Sequence, residues 1–222
     1  MKLTLNPDER ILVVSPHPDD ESIGCGGLLA KFYGKCDVHL VTDGYDEQLA
    51  NKELSQKRLD EFFEAVSVCG VDQKYFLHIP EKNVSKNKDK FLKVDFSRYK
   101  YIFVPNRNEY HNDHTDTYKM INKVLRIKKV NVDLLEYEIW TTLRKPNVVL
   151  DISDVIDIKN KAILKHKSQV SLLDYVGMIN GLNRYRGIIA RCDYAEAFYC
   201  HNEFCREKKR HIKRRLKAFI GK

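Results

Sequence analysis

The chain has 222 residues, a formal net charge of +8, six cysteines and no run of eighteen apolar residues, which fits one globular domain able to bury a core without disulfides and excludes an apolar membrane-spanning helix. The first fifteen residues lack the apolar stretch of a secretory signal, so a cytoplasmic protein with reduced thiols is expected. The charge is concentrated at one end: residues 206–222 hold nine Lys or Arg against a single acid, Glu207, and residues 1–205 are formally neutral.

The pattern predicts a strand near 10–15, a helix near 25–34, a strand near 37–42 and a long helix over 52–69 carrying Leu59, Phe62, Phe63 and Val66 on one stripe. A third strand is expected near 74–79, followed by a Lys- and Asn-rich connector, 81–90, that reads as a mobile loop. The fourth strand falls at 100–104. Beyond it a helix beginning near His114 carries Tyr118, Ile121, Val124 and Leu125 on one face. Residues 132–140 and 148–152 read as strands and 157–169 as a helix. Strand and helix in repetition predict an α/β fold of Rossmann-like type, a mostly parallel doubly wound sheet with helices on both faces. Residues 1–205 form the expected single domain and 206–222 a basic amphipathic tail, with Phe204, Ile212, Leu216, Phe219 and Ile220 on one helical face.

Two motifs carry chemistry. Pro16-His17-Pro18-Asp19-Asp20-Glu21 follows the first strand, and His111-Asn112-Asp113-His114 follows the fourth. In open α/β sheets ligands bind beyond the carboxyl ends of the strands where the strand order reverses. If those two strands are neighbours, the motifs converge. Gly24-Cys25-Gly26-Gly27 superficially suggests a dinucleotide turn, but Asp19, Asp20 and Glu21 would repel a pyrophosphate there. The glycines instead let the following helix pack closely.

Two imidazoles and two carboxylates suit a divalent metal. A catalytic zinc keeps three protein ligands and an open water position, and His17, Asp20 and His114 fit that count. Such a metal lowers the pKa of its water from 15.7 to about 7 to 9, which brings proton transfer to a carboxylate down by roughly ten kcal/mol. A metal beside one unligated carboxylate, assigned to Asp19, is therefore a sufficient pair. The spacing alone does not say which aspartate binds metal. The alternative is that both His111 and His114 bind while Asp20 orients them; in the arrangement favoured by the open-site rule, His111 is free to serve an oxyanion or a leaving amine. Imidazole and carboxylate also suit iron, so Fe²⁺ is an alternative to Zn²⁺.

These motifs resemble those of the PIG-L/LmbE-like de-N-acetylases, and the resemblance extends over about residues 10–200 through Thr42-Asp43-Gly44, Arg58 with Glu61, Tyr137-Glu138-Ile139-Trp140, Lys161, Ser168-Gln169, Tyr185-Arg186-Gly187 and Ala195-Glu196-Ala197-Phe198. It implies zinc-dependent removal of the acetyl group from an N-acetylglucosamine-type amino sugar. It also implies His17, Asp20 and His114 as ligands, Asp19 as base, and His111 as oxyanion stabiliser or acid. Arg58 matches a substrate-facing arginine, although an i, i+3 ion pair with Glu61 would account for it equally. Asn112 stands where the family usually has Pro. Glu109 stands where some members place a tyrosine, and is read as a candidate for sugar hydroxyls or as a solvated loop acid.

The expected substrate is thus a small-molecule or lipid-linked N-acetylated amino sugar. The alternatives are another N-acyl group, or a non-catalytic metal-dependent sugar-binding protein of the same fold. The tail suits either peripheral contact with an anionic membrane or a solvated helix. Nucleic acid is disfavoured, since no aromatic-interleaved basic platform accompanies the charge. A homo-oligomer is compatible with the sequence.

Overall fold

A computed structural model describes residues 3, 6–44 and 51–201. The strands are β1 (Ile11–Ser15), β2 (Cys36–Thr42), β3 (Gln73–Ile79), β4 (Tyr101–Pro105), β5 (Asp133–Tyr137), β6 (Val148–Asp151) and β7 (Ala195–Cys200). The α-helices are α1 (Asp20–Lys31), α2 (Lys52–Val68), α3 (Lys88–Leu92), α4 (Asn112–Lys128), α5 (Ile156–Ile163), α6 (Lys167–Val170) and α7 (Tyr175–Ala190). The sheet order is β3-β2-β1-β4-β5-β7-β6. β1 to β5 run parallel, and β7 pairs antiparallel with both β5 and β6.

β1 and β4 are fully buried apolar runs because helices cover both faces of a parallel sheet. Ile11 and Val13 feed the core that contains Leu28, Phe62, Phe103, Tyr137 and Phe198, while Leu12 and Val14 feed the opposite core with Ile102, Val104, Ile121 and Val124. From β1 the chain moves outward through β2 and β3, then returns to β4 on the other side of β1. The order therefore reverses between β1 and β4, whose registers pair Ile11 with Tyr101 and Val13 with Phe103. Both motifs leave the sheet at this one crevice.

Tight glycine packing brings α1 under the sheet. A Cβ on Gly24 would lie 2.3 Å from the Tyr137 ring, and one on Gly27 would lie 2.6 Å from Ile152. The backbone N–H groups of Gly27 and Leu28 both donate to Glu196 (2.8 Å each), which also pairs with buried Lys159 at 2.7 Å.

Several elements differ from their expected form. On α2, Phe62 and Val66 are buried, but Phe63 is exposed and Ala65 takes the inner face. The strand expected over 132–140 stops at Tyr137, because the Glu138 carboxylate accepts from Leu143 N (2.6 Å) and Arg186 (2.5 Å), which folds 138–143 into a turn. The helix expected over 157–169 breaks at 164–166, where His166 is drawn into the core. The 81–90 connector is anchored rather than loose: Val84 is fully buried and the Lys82 N–H donates to both Asp113 oxygens (3.0 and 2.9 Å). Cys25, Cys36, Cys69 and Cys192 are free thiols, as expected, whereas Cys200 is disulfide-bonded. The basic tail lies outside the described residues. Among those described, no helix is long and apolar enough to cross a membrane.

Candidate active site

The loop after β1 is fixed from beneath. Ser15 Oγ lies 2.8 Å from the His17 carbonyl and accepts from Glu21 N (3.1 Å), Thr42 donates through N and Oγ1 to the Pro16 carbonyl (2.9 and 2.8 Å), and the Tyr137 hydroxyl donates to the Val14 carbonyl (2.8 Å). On that base, His17 Nδ1, Asp20 Oδ2 and His114 Nε2 form a triangle with edges of 3.2, 3.1 and 3.0 Å. Two donors bound about 2.0 to 2.1 Å from one tetrahedral ion stand about 3.3 Å apart, so the triangle has the size of a metal face.

The protonation pattern points the same way. His17 Nε2 lies 3.3 Å from Asp113 Oδ2, and a proton held there leaves Nδ1 as a lone pair aimed at the Asp20 carboxylate and His114. His17 Nδ1 and Asp20 Oδ2, which also accepts from His17 N at 2.9 Å, then converge with His114 Nε2, an arrangement that a cation satisfies. Asp113 stands where an outer carboxylate would orient a ligating imidazole. Without a cation, burial alone would lower the His17 pKa, but the hydrogen bonds to Asp113 and Asp20 outweigh it and hold His17 at about 10. Burial opposes ionisation of Asp20, yet His114 and His17 beside it hold its carboxyl well below the usual range.

Asp19 is outside the triangle. It occupies the N-cap of α1, where an aspartate ordinarily accepts from a helix N–H, but its side chain makes no capping bond. Its backbone has φ 147, a conformation costing about 1 to 3 kcal/mol for a non-glycine residue and persisting where surroundings enforce it. Here Glu21 accepts from Asp19 N (3.2 Å), and the Asp19 carbonyl accepts from Ser22 and Ile23 N (3.0 Å each). Burial and the neighbouring Asp20 charge raise its carboxyl to about 6, partly offset by Arg58.

His111 caps α4, its Nδ1 accepting from Asp113 N at 3.2 Å. That bond assigns the ring proton to Nε2, which faces away from the cap. Burial, with the His17 and His114 rings beside it, lowers its pKa to about 4, which favours the neutral imidazole. His17, His111 and His114 also offer ring nitrogens within 4.8 Å of one another, but this looser set lacks a carboxylate, and the His111 Nδ1 lone pair is engaged.

Arg58 does not pair with Glu61. It lies 3.6 Å from both Asp19 and Glu81, while Glu61 accepts from Ser168 N (2.9 Å) and Oγ (2.6 Å). Glu109 is no solvated loop acid: it is buried, its Oε1 accepts from Ile139 N (3.3 Å) and Thr141 N (3.1 Å), and its Oε2 is buried without a hydrogen-bond partner. Half of that carboxylate therefore shapes the 139–141 turn rather than meeting solvent. Trp140 stands half-exposed with its ring 5.7 Å from that of Tyr175.

Three contributors escaped sequence reading. Asp113 lies inside its own motif, but its partner is His17, 3.3 Å away and 96 residues earlier in the chain. Glu81 follows the end of β3, and the strand-end logic applied to β1 and β4 could have flagged it. His166 is buried with Nε2 3.1 Å from Glu21 and 3.2 Å from Ser22, a partnership across more than 140 residues that no local pattern signals.

A doubly wound sheet with an imidazole–carboxylate cluster at its switch point defines the class: an α/β protein built around a candidate hydrolytic metal centre. The chain belongs to the family described as PIG-L, GlcNAc-PI de-N-acetylase, which matches residues 12–125. It is similar to the diacetylchitobiose deacetylase of Thermococcus kodakarensis, 26% identical over 190 residues that cover 74% of this chain and 71% of that one. It is also similar to the probable N-acetyl-alpha-D-glucosaminyl L-malate deacetylase 2 of Bacillus subtilis, 29% identical over 72% of this chain and 83% of that one. Among solved structures, the N,N'-diacetylchitobiose deacetylase of Pyrococcus horikoshii superposes with a TM-score of 0.69 at 27% identity, covering 87% of this chain and 84% of that chain. The Pseudomonas putida hydratase GalB superposes with a TM-score of 0.70 at 19% identity. That likeness concerns the fold alone, and it shows that the reaction must be argued from the site.

Proposed function

We propose that this protein is a divalent-metal-dependent hydrolase that removes the acetyl group from an N-acetylglucosamine-type amino sugar, with His17, Asp20 and His114 holding the metal. Zinc suits two imidazoles and a carboxylate in an open three-ligand set, and Fe²⁺ suits them as well. Such a metal would polarise the acyl carbonyl and acidify a water molecule. The relatives' activities on acetylated sugars support the substrate class.

The chain's own groups divide the remaining work. Asp19, unligated and near neutrality, accepts the proton of the attacking water and returns it to the sugar nitrogen as the carbon–nitrogen bond breaks, so the products are acetate and a free amine. Arg58 steers the Asp19 carboxylate and counters its charge. Neutral His111 offers Nε2–H to the carbonyl oxygen as negative charge develops there, the work of an oxyanion donor rather than of an acid. Glu109 Oε2, buried and unpaired, is the remaining acceptor for a sugar hydroxyl.

The observation that carries this reading is the donor triangle beside an aspartate at an N-cap that does no capping. The test is acetate release from N-acetylglucosamine on nucleotide, lipid pyrophosphate and small-alcohol carriers, before and after chelation and after Zn²⁺ or Fe²⁺ is restored. Release that is abolished by the chelator and recovered with metal is expected. Chelator-insensitive release, or none from any carrier, refutes it.

A further inference from the structure

Away from the strand ends lies a second cavity, about 480 Å³ in volume, between the edge strand β3 with its neighbour β2 and the segment over residues 90–99. That is the size of a small-molecule site. Its walls are aromatic. His39 and Tyr75 stand with ring centroids 4.6 Å apart, Tyr99 meets His39 edge-on at 6.2 Å, and Phe76 and His78 meet at a tilt with centroids 3.8 Å apart. Its charge is lopsided: Lys90, Lys93 and Arg98 line it against one acid, Asp95, whose Oδ1 already accepts from Ser97 N (3.1 Å) and Oγ (2.6 Å).

Two features go beyond ordinary surface. His39 is 6% exposed, and its Nε2 is buried with no hydrogen-bond partner. Leaving such a group buried is costly unless something pairs with it. Burial lowers its pKa to about 4, so it adds hydrogen-bonding capacity without charge. Beside it the β3 backbone departs from the strand: the register with β2 shifts between Leu40 and Thr42, and His78 sits at φ 52, with Lys90 Nζ bonded to its carbonyl. Strained non-glycine residues of this kind cluster at ligand sites. None of these residues belongs to the candidate metal cluster.

We propose that this cavity is a second binding site, suited to a small planar anion in which an aromatic ring carries a carboxylate or a phosphate. The ring stacks among Tyr75, His78 and Tyr99, and the anion meets Lys93 and Arg98 at the mouth. The inference is independent of the deacetylase reading, because it concerns binding and uses different residues.

The test titrates the full-length protein with adenosine 5′-monophosphate and 4-hydroxybenzoate by saturation-transfer NMR and calorimetry, with adenosine and inorganic phosphate as single-feature controls. At least one aromatic anion is expected to bind more tightly than either control. In the exposed-charge variant Lys93→Glu/Arg98→Glu its affinity should fall at least about tenfold, the size of one lost charge-assisted hydrogen bond, with the melting temperature unchanged. Tyr75→Ala should weaken it independently, through the ring. The proposal is overturned if neither anion binds, if the charge-reversed variant binds as tightly as the wild type, or if binding is instead lost in His17→Ala, which would place the ligand in the candidate active site.

Discussion

Asp113→Asn tests the idea that an outer carboxylate sets the metal-binding form of His17. In the native arrangement both Asp113 oxygens accept from Lys82 N (3.0 and 2.9 Å), and Oδ2 faces His17 Nε2 at 3.3 Å. The asparagine side chain is nearly isosteric, and its oxygen can keep the Lys82 bond. Its NH₂ then turns toward His17 Nε2, which can accept only if the ring proton moves to Nδ1, the atom that points at Asp20 and His114. The substitution thus removes a charge-assisted hydrogen bond worth about 1.5 to 3 kcal/mol and favours a tautomer that cannot ligate. Metal affinity should fall about 10- to 100-fold, the usual cost of losing such a partner. The assay is competitive titration of Zn²⁺ against a chelator of known affinity. Acetate release measured at saturating metal should recover much more than release at limiting metal. Wild-type affinity in the asparagine variant would refute the reasoning and return Asp113 to the role of a loop anchor.

Asp19→Asn should keep metal stoichiometry but lower kcat by about 10² to 10⁴, the contribution of a general base; unchanged acetate release would remove Asp19 from that role. His111→Ala should lower kcat by about 10² to 10³ with little change in KM, as for a donor engaged only when charge develops, and a pure KM effect would count against it. Gly24→Ala forces a Cβ to within 2.3 Å of the Tyr137 ring and should destabilise the fold by about 1 to 3 kcal/mol in denaturant titration. Burial holds the His39 pKa at about 4 against an ordinary 6.5, so between those values the unfolded chain binds a proton that the folded chain does not. Stability should therefore fall as pH drops from about 6.5 to about 4, by up to about 3 kcal/mol from this residue. His39→Gln should flatten that part of the pH profile of the melting temperature, and an unaltered slope would contradict it.

What the sequence revealed and what it hid separate along a physical line. β1 and β4 were legible because a strand covered on both faces must be apolar throughout, and the polar motifs stand out where those runs end. That these two strands are neighbours stood only as a condition, because alternation gives the class of sheet but not the strand order, which the pairing of β1 with β4 supplies. By contrast α7 presents Tyr185, Ile188 and Ile189 to solvent, so its apolar residues do not trace one stripe. β7 carries Glu196 at 2% exposure, a residue that argues against a buried strand until Lys159 and two helix N–H groups are seen to satisfy it.

The same distinction runs through the candidate site. His17, Asp19, Asp20, His111 and His114 are given by local order, since a strand end and a helix start fix where each falls. The groups that decide their protonation arrive from elsewhere in the chain. Lys82 N holds Asp113, Arg58 reaches Asp19 from α2, and His166 meets Glu21 from beyond α5. Charge states in a buried cluster depend on every neighbour within a few ångströms, so candidate reacting groups can be read from a motif while their tuning cannot. It follows that substitutions at Arg58 and Asp113, remote in sequence from the residues they serve, should alter metal affinity and pH response more than they alter the fold.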